Sequence, residues 1–351
     1  MSSREVYGSP PLSDGDEDAL IEEKDAQDPG RIRFDVEVEH AGERLDKLLA
    51  ALLPDVSRSR LKQWIEHGAV HVNGAIVKPR HAVLAGDVIE LEPQPAADAF
   101  AFAPEPMPLA IVHEDDAIIV VDKPPGLVVH PAAGHWSGTL LNGLLAHAPD
   151  LARVPRAGIV HRLDADTSGL MVIARTLEAQ TSLVRQLQER TVQREYWAIV
   201  LGEPRRSGTI EDAIGRDPRN PLRFRVSRAA GAKPARTHYT RIASTQVDGV
   251  TLTWLACRLD TGRTHQIRVH LEHLGHPLVG DPVYRRRLPS PDARSLWRSF
   301  PRQALHACRL GLVHPATEQP MQWFRAPPPD MADLMQALGF GPIDRPAGFS
   351  V

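Results

Sequence analysis

The sequence predicts an α+β protein: a large mixed, largely antiparallel sheet with flanking helices, preceded by a small α/β module. Three observations predict it. Apolar runs of strand length dominate residues 109–335, with only a few helical patterns among them. Their links are hairpin-like, and no regular strand–helix–strand rhythm appears. Residues 31–92 carry two helical patterns and a hairpin of their own, followed by a proline-rich stretch.

In chain order, residues 1–30 are acidic and rich in Ser, Pro and Gly, and read as a disordered leader. They hold nine acidic and two basic side chains, a net of −7, so the overall −3 leaves a net +4 on the other 321 residues. That basic balance suits an RNA-binding surface without diagnosing one, and most of the cations are arginines. The leader has no apolar h-region, and no apolar run approaches bilayer length, so neither a secretory signal nor a membrane protein is expected. Only Cys257 and Cys308 are present, which points to a reducing compartment, by default the cytoplasm.

Residues 31–92 form the small module. Arg44 to Leu53 has helical apolar spacing stopped by Pro54. Ser57 is placed to cap a second helix, Arg58 to His67, with Gly68 as its stop and Leu61, Trp64 and Ile65 as its apolar face. Ala69 to Val72 alternates into the Asn73-Gly74 turn, and Asp87 to Leu91 gives another strand. Residues 93–108 read as a linker. The large domain then spans 109–335, and 336–351 reads as a tail. Its expected strands are 117–121, 195–201, 237–242 and 250–258. Helices are expected at 139–146, at 179–190 with Leu183, Val184 and Leu187 inward, and after Gly262 with Ile267, Leu271 and Leu274 on one face.

The chain centres on Gly158 to Ile173. Apolar flanks, read as buried strands, enclose His161-Arg162-Leu163-Asp164-Ala165-Asp166-Thr167-Ser168-Gly169. A short polar turn between buried strands is a rigid platform for a reactive side chain. The turn holds one imidazole, one guanidinium, two carboxylates (Asp164 and Asp166) and two hydroxyls. His265, His270, His273 and His276 crowd one segment. They lack a His-Glu-x-x-His pattern or a cysteine pair, so no metal is expected.

His-Arg-Leu-Asp, two residues, then Thr-Ser-Gly-Leu resembles the catalytic motif of the ribosomal large-subunit type of RNA pseudouridine synthases. Further blocks resemble the same family in order: Ile119 to Gly126 with Val129-His130-Pro131, Arg194-Glu195-Tyr196, Gly262 to His270, Gly275 to Asp281, Gln303 to Ala307, and His314-Pro315. The module around Ser57-Arg58-Ser59 and Ile65 to Gly74 resembles the S4 RNA-binding domain. The resemblance covers nearly all of 31–335. It implies the pseudouridine synthase fold, isomerisation of uridine to pseudouridine, and no cofactor or metal.

The resemblance also assigns roles. Asp164 is the catalytic carboxylate, and Asp166 becomes structural. A guanidinium would orient Asp164. Spacing leaves Arg263 and Arg268 open, and the family pattern favours Arg268. Tyr196 would stack on the uracil, and Arg162 would enter the RNA stack as the base leaves it. His161, Thr167, Arg263 and His265 complete the expected substrate surroundings, with His161 and Thr167 bracing the loop. Arg58, Arg60, Lys62, Lys78 and Arg80 would contact phosphate. Charge alone would leave these five as a solvated face; the S4 resemblance turns the reading to RNA. The expected partner is 23S rRNA, free or in the assembling large subunit, at a hairpin loop facing the small subunit, met by a monomer away from any membrane. Rival readings are a synthase for tRNA or other rRNA sites, a non-catalytic RNA-binding assembly protein, and a metal-dependent hydrolase.

Overall fold

The computed structural model describes residues 31–54, 56–93, 101–132, 135–220, 223–284 and 297–341. The acidic leader, part of the expected linker and residues 342–351 of the expected tail lie outside them. The chain divides into two units, 1–96 and 97–351.

The first unit contains β1 (Ile32–Asp35), α1 (Leu45–Leu52), α2 (Arg58–Glu66), β2 (Val70–Val72), β3 (Ala75–Ile76) and β4 (Val88–Leu91). Its antiparallel sheet runs β1-β4-β2-β3. Leu45, Leu48 and Leu49 of α1 pack with Leu61, Trp64 and Ile65 of α2 and with Val70, Val72, Ile89 and Leu91 of the sheet. The Ser57 hydroxyl accepts from the Arg60 amide at 3.4 Å, which caps α2. Asn73 and Gly74 both take positive φ, 49° and 77°, as a tight hairpin turn requires. The Asn73 side chain then pins that turn to β4, donating to Asp87 at 2.8 Å and accepting from the Val88 amide at 2.9 Å.

The second unit is built on one nine-stranded sheet. Its strands are β5 (Ile111–Glu114), β6 (Ile118–Lys123), β7 (Ser168–Ala174), β8 (Gln193–Leu201), β9 (Ser207–Ile210), β12 (Thr237–Val247), β13 (Val250–Leu259), β14 (Leu305–Val313) and β15 (Pro320–Phe324). The order is β5-β6-β7-β14-β8-β13-β12-β9, with β15 on β14, and only β7 and β14 run parallel. A separate ribbon joins β10 (Ile214–Arg216) to β11 (Phe224–Val226).

Both faces of the sheet are covered, so its central strands read as continuous apolar runs. On one face, Ile119, Val121, Met171, Ile173, Tyr196, Ala198 and Val200 pack under α3 (Leu140–His147) and α5 (Gln266–His273). On the other, Ile118, Val120 and Val172 meet α4 (Leu177–Glu189), while Trp197, Ile199 and Trp254 meet α6 (Pro329–Ala337). No helix among the described residues is long and apolar enough to cross a membrane.

The structure departs from expectation in four places. The Gly158-side flank of the central stretch is not a strand. Arg156, Ala157 and Gly158 all take positive φ, and only Ile159 bridges to Ile173. Gly158 is needed there, because a Cβ would lie 1.8 Å from the Ala174 carbonyl oxygen. Leu274 and Val184 are 40% and 37% exposed, outside the apolar faces assigned to them. Residues 101–105, expected in the linker, lie on α3: Asn142 donates to the Ala103 carbonyl at 2.8 Å, and Glu105 accepts from the Gly138 amide at 2.8 Å. Leu338 and Phe340, expected in the tail, are core residues packed beside Trp254.

Candidate active site

The Asp164 loop is held from every side. Lys123, at the end of β6 and 1% exposed, donates its ammonium to the carbonyls of Ala165 (2.7 Å), Pro124 (2.8 Å) and Leu127 (2.9 Å). Burial drives its pKa down to about 7, with Asp166 and Asp164 opposing the fall. The Gly126 amide also reaches the Ala165 carbonyl, at 2.9 Å. Arg302 donates to the Asp166 carbonyl at 3.0 Å and forks onto Asp330 at 2.7 and 2.9 Å. Gln303 donates to the Thr167 hydroxyl at 3.1 Å, and Ser168 pairs with His306 Nδ1 at 2.9 Å. The loop closes on itself through the Thr167 amide and the Asp164 carbonyl, 3.1 Å apart.

Gly169 lets β7 meet β14 at this point. Its φ is 117°, and a Cβ would lie 2.3 Å from the Ala307 carbonyl oxygen. His161 accepts from the Val172 amide at Nε2, 3.1 Å away. Burial, with Arg194 adding to it, takes the His161 pKa down to about 3, so the ring is neutral at pH 7.

Arg268 projects from α5 to the Asp164 carboxylate. Its Nη1 donates to Asp164 Oδ2 at 3.0 Å, across 104 residues of chain. Its Nε and Nη2 fork onto Asp281 at 2.7 and 3.0 Å. Burial pushes Asp281 up, but the Arg268 fork and the Val283 and Tyr284 amides outweigh it and hold the group below its usual range. Burial likewise opposes the charge on Arg268, and the two carboxylates overcome it. The guanidinium also lies 5.1 Å from the centroid of Tyr284. Tyr284 in turn meets His265 Nδ1 at 3.0 Å, and His265 Nε2 stands 4.0 Å from Asp164 Oδ1.

These groups line a cavity of about 1110 Å³, with Arg162, Asp164, Tyr196, Arg263, His265 and Arg268 on its walls. Tyr196 is 5% exposed, and burial raises its pKa, so it keeps its proton. Arg162 is exposed. Arg263 is exposed as well and donates to the Pro234 carbonyl at 3.1 Å; Arg268, not Arg263, is the guanidinium on Asp164. Among the described residues no guanidinium is hydrogen-bonded to the Asp166 carboxylate; Arg302 binds the Asp166 carbonyl, and the carboxylate charge acts on Lys123. In the first unit Arg58, Lys62, Lys78 and Arg80 are exposed, while Arg60 is half-buried and stacks over Trp64 at 5.3 Å. The crowded histidines diverge. His270 bonds Thr237 and the Asp212 carbonyl, and His276 bonds the Leu201 carbonyl. Among the described residues no three His, Cys, Asp or Glu side chains converge as metal ligands would.

Sequence reasoning missed Asp281 and Tyr284 as supports of Arg268, and the roles of Lys123, Arg302 and Gln303. Asp281 does stand in one of the matching blocks, but thirteen residues separate it from Arg268, and no helical spacing links them.

Comparison with known proteins identifies the family. Residues 117–273 match the family model for RNA pseudouridylate synthase, and residues 43–89 match that for the S4 domain. The chain is 53% identical over 312 residues to ribosomal large subunit pseudouridine synthase D of Neisseria meningitidis serogroup B, covering 88% of this chain and 82% of the relative. It is 50% identical over 309 residues to the Pseudomonas aeruginosa protein of the same name, covering 87% and 94%. The solved structure of human RNA pseudouridylate synthase domain containing 4 shares the fold, with a TM-score of 0.51 at 24% identity over 69% of this chain and 95% of that one.

Proposed function

The chain belongs to the RNA pseudouridine synthase family, and on that premise we propose that it converts uridines of 23S rRNA to pseudouridine, in the hairpin loop of the stem that faces the small subunit. The observation that carries the site assignment is the Asp164–Arg268 contact in the wall of the cavity that Tyr196 also lines, with Arg268 held in turn by the buried Asp281.

The chemistry follows from the groups. A uridine inside a stack is out of reach, so the base swings out, and loops make that step easiest. Arg162, exposed on the cavity wall, fills the gap left in the stack. Tyr196 offers its ring to the uracil. The N1–C1′ bond then breaks, the uracil turns while held, and C5 bonds to C1′. The proton on C5 is lost and N1 gains one, so the product is an isomer of the substrate. Asp164 acts at the sugar, and whether it attacks C1′ or removes a neighbouring proton it has to be ionised. Arg268 donates to Asp164 Oδ2 at 3.0 Å and so fixes the direction in which the carboxylate points. Asp281 fixes the guanidinium so that it need not reorganise during the reaction.

Asp164→Asn keeps the shape and removes the charge. It should lower pseudouridine formation on a transcript of that stem-loop by about 10³-fold or more while RNA binding persists. Retained activity would remove Asp164 from its role. Pseudouridine mapping of 23S rRNA from cells with and without the protein tests the substrate.

A further inference from the structure

Three arginines among the described residues are at least nine-tenths buried: Arg194, Arg268 and Arg302. A guanidinium removed from water without a carboxylate is strongly unfavourable, so buried arginines are paired. Arg268 has Asp164 and Asp281, and Arg302 has Asp330. Arg194, 7% exposed, has no carboxylate partner among the described residues, and its Nε is buried without a hydrogen-bond partner there. Its neighbour Glu195 points to the opposite face of β8, where Arg309 stands 3.9 Å away.

The placement of Arg194 says what would complete it. Two residues before Tyr196 on β8, it shares the Tyr196 face and lines the same cavity as Asp164. The loop after β13 leaves room for it: a Cβ on Gly262 would lie 3.0 Å from Arg194 Nη1. Arg194 also lines a second cavity of about 490 Å³, which shares Arg190, Arg194, Leu259 and Asp260 with the first. Arg190 is exposed on the wall that the two cavities share. Asp260 on the same wall is engaged by His238 at 3.0 Å and Arg236 at 3.6 Å. Arg190 and Arg194 thus line the way out of the Asp164 cavity, while Arg258 pairs in register with Glu195 on the other face of the sheet.

We infer that Arg194 binds a backbone phosphate of a nucleotide next to the flipped uridine, and that Arg190 carries the RNA strand onward. A phosphodiester supplies the anionic oxygens a buried guanidinium fork lacks. The inference rests on the proposed function and adds a positioning site to it.

The test uses the full chain, a stem-loop transcript, and the same RNA carrying a neutral methylphosphonate at each phosphate around the target uridine in turn. Arg194→Gln should weaken binding about tenfold or more and reduce the salt slope by roughly one phosphate's worth, ~0.7–0.9. One methylphosphonate should weaken wild type similarly and have no further effect on the variant. Wild-type affinity in Arg194→Gln, or effects that multiply at every position of the scan, would overturn the inference. If Arg194→Gln does not fold, Arg194→Lys takes its place. It keeps the charge without the fork, so it should bind more weakly yet stay sensitive to that same phosphate, and insensitivity there overturns the inference too. Pseudouridine formation by wild type is the control. Its failure would fell the proposed function and this inference together, whereas its success with no coupling would fell only the inference.

Discussion

The Asp164 loop and the S4 module both present arginine and lysine, in opposite physical settings. Around the loop, Lys123, Arg268 and Arg302 are 1%, 4% and 5% exposed, and each is committed to named oxygens. In the module, Arg58, Lys62, Lys78 and Arg80 stand in solvent, and Lys62 has only Glu66 at 3.5 Å. Buried charge is expensive to place and hard to move, which suits a group that must meet one atom of a substrate. Solvated charge costs little to place and is screened by salt, which suits tracking a phosphate chain. The difference teaches that counting cations says little until their burial is known.

The sharpest way to break the comparison is Asp281→Asn. It leaves Arg268 buried with half its fork, so stability should fall by about 3–5 kcal/mol and pseudouridine formation by about 100-fold or more. Chemical denaturation and single-turnover kinetics would read both, and a wild-type rate would mean that the fork does not position Asp164.

Acid provides a second test. Burial keeps His161 and His306 neutral, with pKa values down to about 3 and about 4 against an ordinary 6.5. Between pH 6.5 and about 4 the unfolded chain binds protons that the folded chain refuses, so folding stability falls as pH falls through that window. His306→Gln should flatten the slope measured by equilibrium unfolding; an unchanged slope would place its origin elsewhere.

The smallest effect belongs to the module. Replacing Arg58 and Lys62 together by Gln should weaken rRNA binding a few-fold at moderate salt and lower the salt slope by at most ~1.8. It should leave the melting temperature unchanged, because exposed pairs such as Lys62–Glu66 contribute little. A large loss of stability instead would erase the distinction drawn above.

The strands buried on both faces were legible, because runs such as Ile118 to Val121 and Tyr196 to Leu201 admit few other readings. That Asp164, Tyr196 and Arg268 would stand together was legible through their motifs, although spacing alone left Arg263 open, and the structure sets all three on one cavity wall. β14 was not. Leu305 to Val313 contains His306 and Arg309, which break its apolar run, and it pairs with β7 and β8 more than a hundred residues earlier. Three consecutive prolines before Asp330 hid α6, whose stability comes from packing beside Trp254. Arg194 was visible as part of a motif, but its missing partner is a property of the folded cavity alone.

The position of β14 has a consequence for synthesis. It is made late, yet it sits between β7 and β8 and brings Gln303 and His306 against the Asp164 loop. A nascent chain that has not yet delivered residues 302–313 has two open strand edges where the sheet should join, and an Asp164 loop without the braces from Arg302, Gln303 and His306. Folding of the Asp164 loop thus waits on a segment made more than a hundred residues after it.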